Sequence, residues 1–144
     1  MPKKSTFKTT EASATEQLGK RLALQIRGQK VFLFGDLGIG KTTFLRGLAC
    51  GLKISSKIKS PTFVGEHIHK ISKNENLVHL DLYRDESLGI EKIERLQELF
   101  TSFETVVVEW SERLSKKLLP RKRVEVEFSE SKSGERRINF VEYS

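Results

Sequence analysis

Gly35-Asp36-Leu37-Gly38-Ile39-Gly40-Lys41-Thr42 decides how this chain reads, because glycines bracket a short loop that runs directly into lysine and threonine. In such a loop the backbone N–H groups curl around phosphate oxygens. The lysine adds a mobile positive charge at the terminal phosphates, and the following hydroxyl ligates magnesium. Gly35 and Gly40 permit the tight turn. Upstream, Val31-Phe32-Leu33-Phe34 is a continuous apolar run, the mark of a central parallel strand covered on both faces. Downstream, Thr42 to Leu52 places Phe44, Leu45, Leu48 and Leu52 on one helical face, and Thr43 lies at the positive helix start, which favours an anion. Strand, loop and helix stand in the order a P-loop requires.

Outward from this unit, Thr10 to Arg27 carries Ala14, Leu18, Leu22 and Ile26 at four-residue spacing, an amphipathic first helix after a short basic start. Ser60-Pro61-Thr62-Phe63 reads as a Pro-fixed turn into a strand reaching His69. A loop at Ser72 to Asn76 leads to a second strand, Leu77 to Tyr83. On it Leu77, His79, Asp81 and Tyr83 share one face, and Val78, Leu80 and Leu82 the other. Ser87 to Phe103 is helical, with Ile90, Ile93, Leu96, Leu99 and Phe100 as its stripe. Val106-Val107-Val108 is a second apolar run, ending in Glu109-Trp110. A short helix over Ser111 to Leu119 stops at Pro120. Val124 to Phe128 and Arg137 to Val141 alternate around Ser131-Lys132-Ser133-Gly134, which predicts an antiparallel hairpin. The expectation is an α/β, P-loop NTPase-like fold: a mainly parallel central sheet flanked by helices, with a C-terminal antiparallel hairpin. Residues 1–144 should make one domain.

The net charge of +7 is uneven: residues 1–60 carry 12 basic and 3 acidic side chains, whereas residues 61–144 carry 14 and 16. A positive field around the phosphate loop would attract a nucleotide, an acidic protein or RNA. The single Cys50 excludes an internal disulfide and is expected to serve as a small apolar residue in a buried helix, which fits a reducing cytoplasm. No apolar run is long enough to span a bilayer, so neither membrane insertion nor export is expected.

An NTPase needs an acid at a neighbouring strand end to hold the metal, and a group to orient the attacking water. Glu109, at the end of the stronger buried run, is the candidate metal acid, and Asp81 is the candidate for the second role. Thr62, in a loop after the P-loop helix, is placed to sense the γ phosphate as a switch does. His67 and His69 lie two apart on one strand face without a Cys partner and do not read as a zinc site. His79 reads as a neighbour of Asp81. Trp110 reads as packing beside the site or marking a partner surface, or equally as a half-buried core aromatic. Arg121-Lys122-Arg123 and Arg136-Arg137 read by default as solvated charge.

Taken together, Gly-Asp-Leu-Gly-Ile-Gly-Lys-Thr-Thr (35–43), Ser-Pro-Thr-Phe (60–63), His-Leu-Asp-Leu-Tyr-Arg (79–84) and Val-Glu-Trp (108–110) resemble the TsaE (YjeE) family in order and spacing over almost the whole chain. The opening helix, with Thr15 and Leu18-Gly19, also resembles the family's first segment. The resemblance implies an ATPase needed for threonylcarbamoyladenosine in bacterial tRNA. It would act on a TsaB and TsaD complex that performs the transfer, with tRNA met indirectly or weakly and no DNA expected. It implies ATP and Mg2+ as ligands. By carry-over Asp36, Leu37, Gly38, Ile39, Gly40, Lys41, Thr42 and Thr43 bind the nucleotide, joined by Thr15 and Arg136. Thr42 and Glu109 hold the metal, and Asp81, Lys41 and Thr62 are the catalytic set. The chain departs from the usual pattern at Gly65-Glu66-His67, where relatives tend to be more apolar, at Asp85, and at Ser111 in place of a common Pro.

A small-molecule or nucleoside kinase would use the same P-loop, but needs an acceptor pocket and an Arg-rich lid, for which only Arg121 to Arg123 could serve. A GTPase lacks its Asn-Lys-x-Asp and Asp-x-x-Gly motifs here, and an RNA-binding module leaves the P-loop unexplained. With no obvious built-in arginine finger, hydrolysis is expected to stay slow until a partner completes the site.

Overall fold

In the computed structural model, which describes residues 2–35, 40–55, 65–82 and 88–144, the Val31–Phe34 run lies at the middle of a seven-stranded sheet. The strands are β1 (Lys3–Thr9), β2 (Lys30–Phe34), β3 (Glu66–Ser72), β4 (Glu75–Asp81), β5 (Thr105–Glu109), β6 (Arg123–Glu130) and β7 (Arg136–Tyr143). Their spatial order is β1-β7-β6-β2-β5-β4-β3. β2 pairs in parallel with both β5 and β6, and β4 with β5. The outer pairings, β1 with β7, β7 with β6 and β3 with β4, are antiparallel. The expected C-terminal hairpin is therefore present, and both edges of the sheet are antiparallel.

Alternation along the strands splits the core in two. Val31 and Leu33 of β2, Val107 of β5, Leu77 of β4 and the β6–β7 residues Val124, Val126, Ile138 and Phe140 face helices α1 (Ala12–Ile26) and α2 (Lys41–Gly51). Phe32, Val78, Leu80, Val106 and Val108 face the opposite way, towards Leu96 and Leu99 of α3 (Ile90–Phe100) and towards Leu114. Each one-residue step thus switches layer, as strand geometry requires. α1 and α2 approach closely: a Cβ on Gly19 would stand 2.2 Å from the Phe44 carbonyl oxygen, and one on Gly47 1.9 Å from that of Glu16. Any side chain at either position would force the helices apart.

Several sequence expectations are corrected. The basic start is not a tail but strand β1, whose Lys3–Thr9 runs antiparallel to β7. Ala14 of the expected α1 stripe is exposed and Thr15 is buried in its place. Cys50 is exposed, because Phe44, Gly47 and Leu48 turn inward and position 50 falls on the far side of α2. Ile90 is 75% exposed, since it stands in the first turn of α3, ahead of the buried Leu96 and Leu99. The segment expected as one short helix is two 3-10 turns, Ser111–Arg113 and Lys116–Leu118. The extended, buried Leu114 separates them, and the Ser115 side chain accepts from Lys117 N. The loop expected between β3 and β4 is a two-residue turn at Lys73-Asn74.

The departure at Gly65-Glu66-His67 has a structural use. Glu66 is buried, and both its oxygens accept from Arg95 of α3, at 3.1 and 2.8 Å, tying the β3 edge to the helix. Ser111 is buried with its hydroxyl donating to Val108 O at 2.9 Å.

Candidate functional site at the carboxyl ends of the central strands

β2 leads into Gly35, and Gly40 caps α2 with φ 100°. That left-handed conformation strains any residue with a Cβ, which explains glycine here. Asp36, Leu37, Gly38 and Ile39 lie outside the described residues, as do Thr62 with the rest of Ser60–Phe63, and Tyr83, Arg84 and Asp85.

Lys41 opens α2 and is only 4% exposed. Its amine donates to Gly35 O at 2.7 Å and lies over the Trp110 ring, 4.3 Å from the centroid. Thr42 is exposed and Thr43 half-buried in the same first turn, where the helix presents N–H groups without intrahelical acceptors. The lysine thus turns back to the end of the strand that precedes the loop.

β4 and β5 run parallel to β2 and end at the same level, with Asp81 registered against Glu109. The sequence reading placed an acid at each of these strand ends, and the structure brings the two ends side by side. Glu109 is 8% exposed. Burial alone would raise its pKa, but the hydrogen bond and charge of His79, with the charges of Lys41 and His67, outweigh it and hold the carboxyl below its ordinary value. Glu109 is therefore an anion whose field reaches Lys41. His79 Nε2 lies 2.5 Å from Glu109 Oε2, a contact the sequence reading missed when it paired His79 with Asp81 alone. Strand alternation put His79 and Asp81 on one face, but only the β4–β5 register shows that the imidazole reaches across to Glu109.

Two further residues converge on Gly40. The Thr15 Cγ2 would lie 3.4 Å from a Cβ at this position, and Arg136 Cδ and Nη1 3.7 and 3.8 Å from it. Arg136 Nη1 is buried and has no hydrogen-bond partner among the described residues. A buried guanidinium nitrogen without an acceptor is costly, and an anion at the loop would remove the cost. From the residues alone the Arg136-Arg137 pair reads by default as solvated charge, while the family resemblance places Arg136 with the nucleotide. The structure sets the Arg136 side chain beside Gly40, where β1 closes the sheet edge with Thr9 directly opposite. Thr9 Oγ1 is also 2.8 Å from Thr15 Oγ1, both residues being buried. Glu112 was likewise missed: its carboxylate accepts from Gly35 N at 2.8 Å, pinning the loop entrance. No spacing in the sequence signals that contact.

His67, His69 and His79 form a histidine group beyond Glu109, with the His67 and His79 rings stacked at 5.7 Å and His69 tilted at 6.5 Å from His79. Burial, with the charges of His79 and His67, lowers the His69 pKa to about 4. Among the described residues no group of three or more His, Cys, Asp or Glu side chains is placed to hold a metal ion. No helix of the described residues is long and apolar enough to cross a membrane.

Comparison with known proteins agrees with this arrangement. Residues 9–138 match the family described as Threonylcarbamoyl adenosine biosynthesis protein TsaE. A tRNA threonylcarbamoyladenosine biosynthesis protein TsaE from Streptomyces coelicolor is 43% identical over 67% of this chain and 66% of its own length. The Bacillus subtilis protein of the same name is 34% identical over 94% of this chain and 84% of its own. The crystal structure of Bacillus subtilis YdiB superposes with a TM-score of 0.78 at 30% identity, covering 100% of this chain and 88% of that one. With a P-loop setting, two acids at adjacent strand ends and a family match across most of its length, the chain belongs to the TsaE family of tRNA threonylcarbamoyladenosine biosynthesis.

Proposed function

We propose that the protein is an ATPase that binds ATP at residues 35–43 and hydrolyses it in support of tRNA threonylcarbamoyladenosine synthesis. It acts on a TsaB and TsaD complex that carries out the transfer. The observation that carries the reading is a buried lysine whose charge reaches the acid at the end of β5, with a second acid registered beside it on β4 and, among the described residues, an arginine nitrogen without an acceptor next to Gly40.

The residues present fit a magnesium nucleotide. Lys41 and Arg136 supply positive charge for the phosphates, and the start of α2 supplies N–H donors. Thr42 and Glu109 would hold Mg2+. The ion supplies charge neutralisation on the phosphate oxygens. Asp81 is the group that orients the attacking water and receives its proton, so that water adds to the γ phosphorus as the bond to ADP breaks.

Partner dependence fits the way the site's charges are engaged within the chain. Lys41 is held by Gly35 O and Trp110, and Glu109 by His79. Binding must release the lysine before it can serve the phosphates. The kinase alternative is weakened at its lid: Arg123 starts β6, bonded to Glu125 at 2.6 Å and to Pro120 O at 3.1 Å, so it is tied down on the sheet.

Phosphate release, measured with and without a TsaB and TsaD complex, tests the reading. Turnover should be slow alone and rise on addition of the complex, and Asp81→Ala should bind ATP with unchanged affinity yet fail to turn over. Brisk hydrolysis indifferent to the complex, or normal turnover by Asp81→Ala, would refute partner gating or the acid assignment respectively.

A further inference from the structure

We propose that His79 is a positioning residue for Glu109, holding one carboxylate oxygen so that the other stays aimed at the metal position beside Thr42. The inference rests on the ATP-site reading and deepens it. A carboxylate at the end of a side chain turns about a broad, nearly two-fold torsion. An acid meant to meet a metal in one geometry therefore needs a second contact that fixes its plane. Glu109 is an anion and only accepts, so the 2.5 Å contact requires the His79 Nε2 to carry the proton.

The imidazole is itself held. His79 pairs with His67 directly across the β3–β4 hairpin, and the two rings stack with centroids 5.7 Å apart. His69 packs at 6.5 Å from it. On its other side β4 is registered on β5 so that His79 faces Val107 and reaches Glu109 two positions further along the same face. The chain from β3 through His79 to Glu109 thus runs from the sheet edge to the phosphate loop, with the carboxylate as its last link. The plainer account is that His79 only satisfies a buried carboxylate. The two accounts differ in what metal binding should feel.

At a fixed alkaline pH, where imidazoles are neutral, nitrogen–proton correlation NMR on the full chain should show His79 as the Nε2–H tautomer. The Nδ1–H tautomer would overturn the contact. Mn2+ binding to the protein with ADP, followed by electron paramagnetic resonance, then reads the consequence. His79→Leu should weaken Mn2+ about tenfold or more, while metal-free ADP affinity stays within about twofold. His79→Gln, which keeps an N–H donor, should recover most of the loss. Unchanged Mn2+ affinity in a folded His79→Leu protein, or equal loss in the Gln and Leu variants, would overturn the positioning role. Failure of the wild type to bind ADP at all would instead overturn the ATP-site reading. The tautomer is measured without nucleotide and separates the two failures.

Discussion

Lys30 and Lys41 stand near opposite ends of β2, and both are buried, at 7% and 4% exposure. Lys30 donates to Ser102 O at 2.9 Å and also to Glu104 O, lashing the connection between α3 and β5 to the start of the strand. Burial lowers its pKa and the charge of Glu104 opposes that shift. Lys41 has one backbone carbonyl, Gly35 O, and an aromatic face. Around it are the anionic Glu109 and, at the neighbouring Gly40, Arg136 and Thr15. Burial of a positive charge is therefore not what marks the site. Lys30 is satisfied by two carbonyls of the α3–β5 connection, whereas Lys41 borrows its one carbonyl from Gly35, at the entrance of the glycine-rich loop.

The contrast gives opposite mutational signatures. Lys41→Ala should reduce ATP affinity by about 100-fold or more, the loss of charge-assisted bonds to phosphate, with little change in melting temperature. Calorimetric titration and thermal unfolding on the same sample decide it. Lys30→Met should do the reverse: it strands two part-buried carbonyls, costs about 2 kcal/mol and lowers the melting temperature by roughly 6–10 °C, leaving ATP affinity unchanged. If Lys30→Met lost ATP binding while keeping its stability, the separation of the two lysines would be wrong.

Smaller effects refine the picture. Arg136→Ala should weaken ATP about tenfold in the same titration, because an orphaned nitrogen gains its acceptor only from the phosphates. A gain in ATP affinity would show that Arg136 merely crowds the loop. His69 is a third, half-buried base, and it answers that burial by giving up its charge. Its folded pKa of about 4 lies below the ordinary 6.5. The stability it contributes is therefore complete above pH 6.5 and drains away as pH falls towards 4, where the unfolded chain takes the proton first. The ring is half exposed, so screening reduces the loss to on the order of 1 kcal/mol. Denaturant unfolding at pH 7 and pH 4.5 should show that loss, and His69→Phe should flatten it.

Much of this architecture was readable in advance because it depends on local pattern. Val31–Phe34 and Val106–Val108 are apolar without alternation and became the two central strands, β2 and β5. Glycine at 35 and 40, followed by Lys41, marked the phosphate loop from chemistry alone, and Glu109 and Asp81 followed as strand-end acids. The hidden parts depend on distant pairing. Lys3–Thr9 has too little apolar periodicity to announce a strand, yet β7 recruits it, and through Thr9, Thr15 and Arg136 it builds one wall beside Gly40. Glu112 meets Gly35 N, and His79 meets Glu109, across separations no spacing rule covers.

The chain's own order of residues thus put a glycine-rich segment between a buried strand and a helix, because turn chemistry and hydrophobic runs act within a few residues. Which charges gather beside Gly35, Gly40 and Lys41 was left to the sheet. Parallel registration of β4, β5 and β2 aligns their carboxyl ends, and closure by β1 and β7 delivers the arginine. Such contacts form only when strands far apart in sequence share hydrogen bonds, so packing alone could decide them.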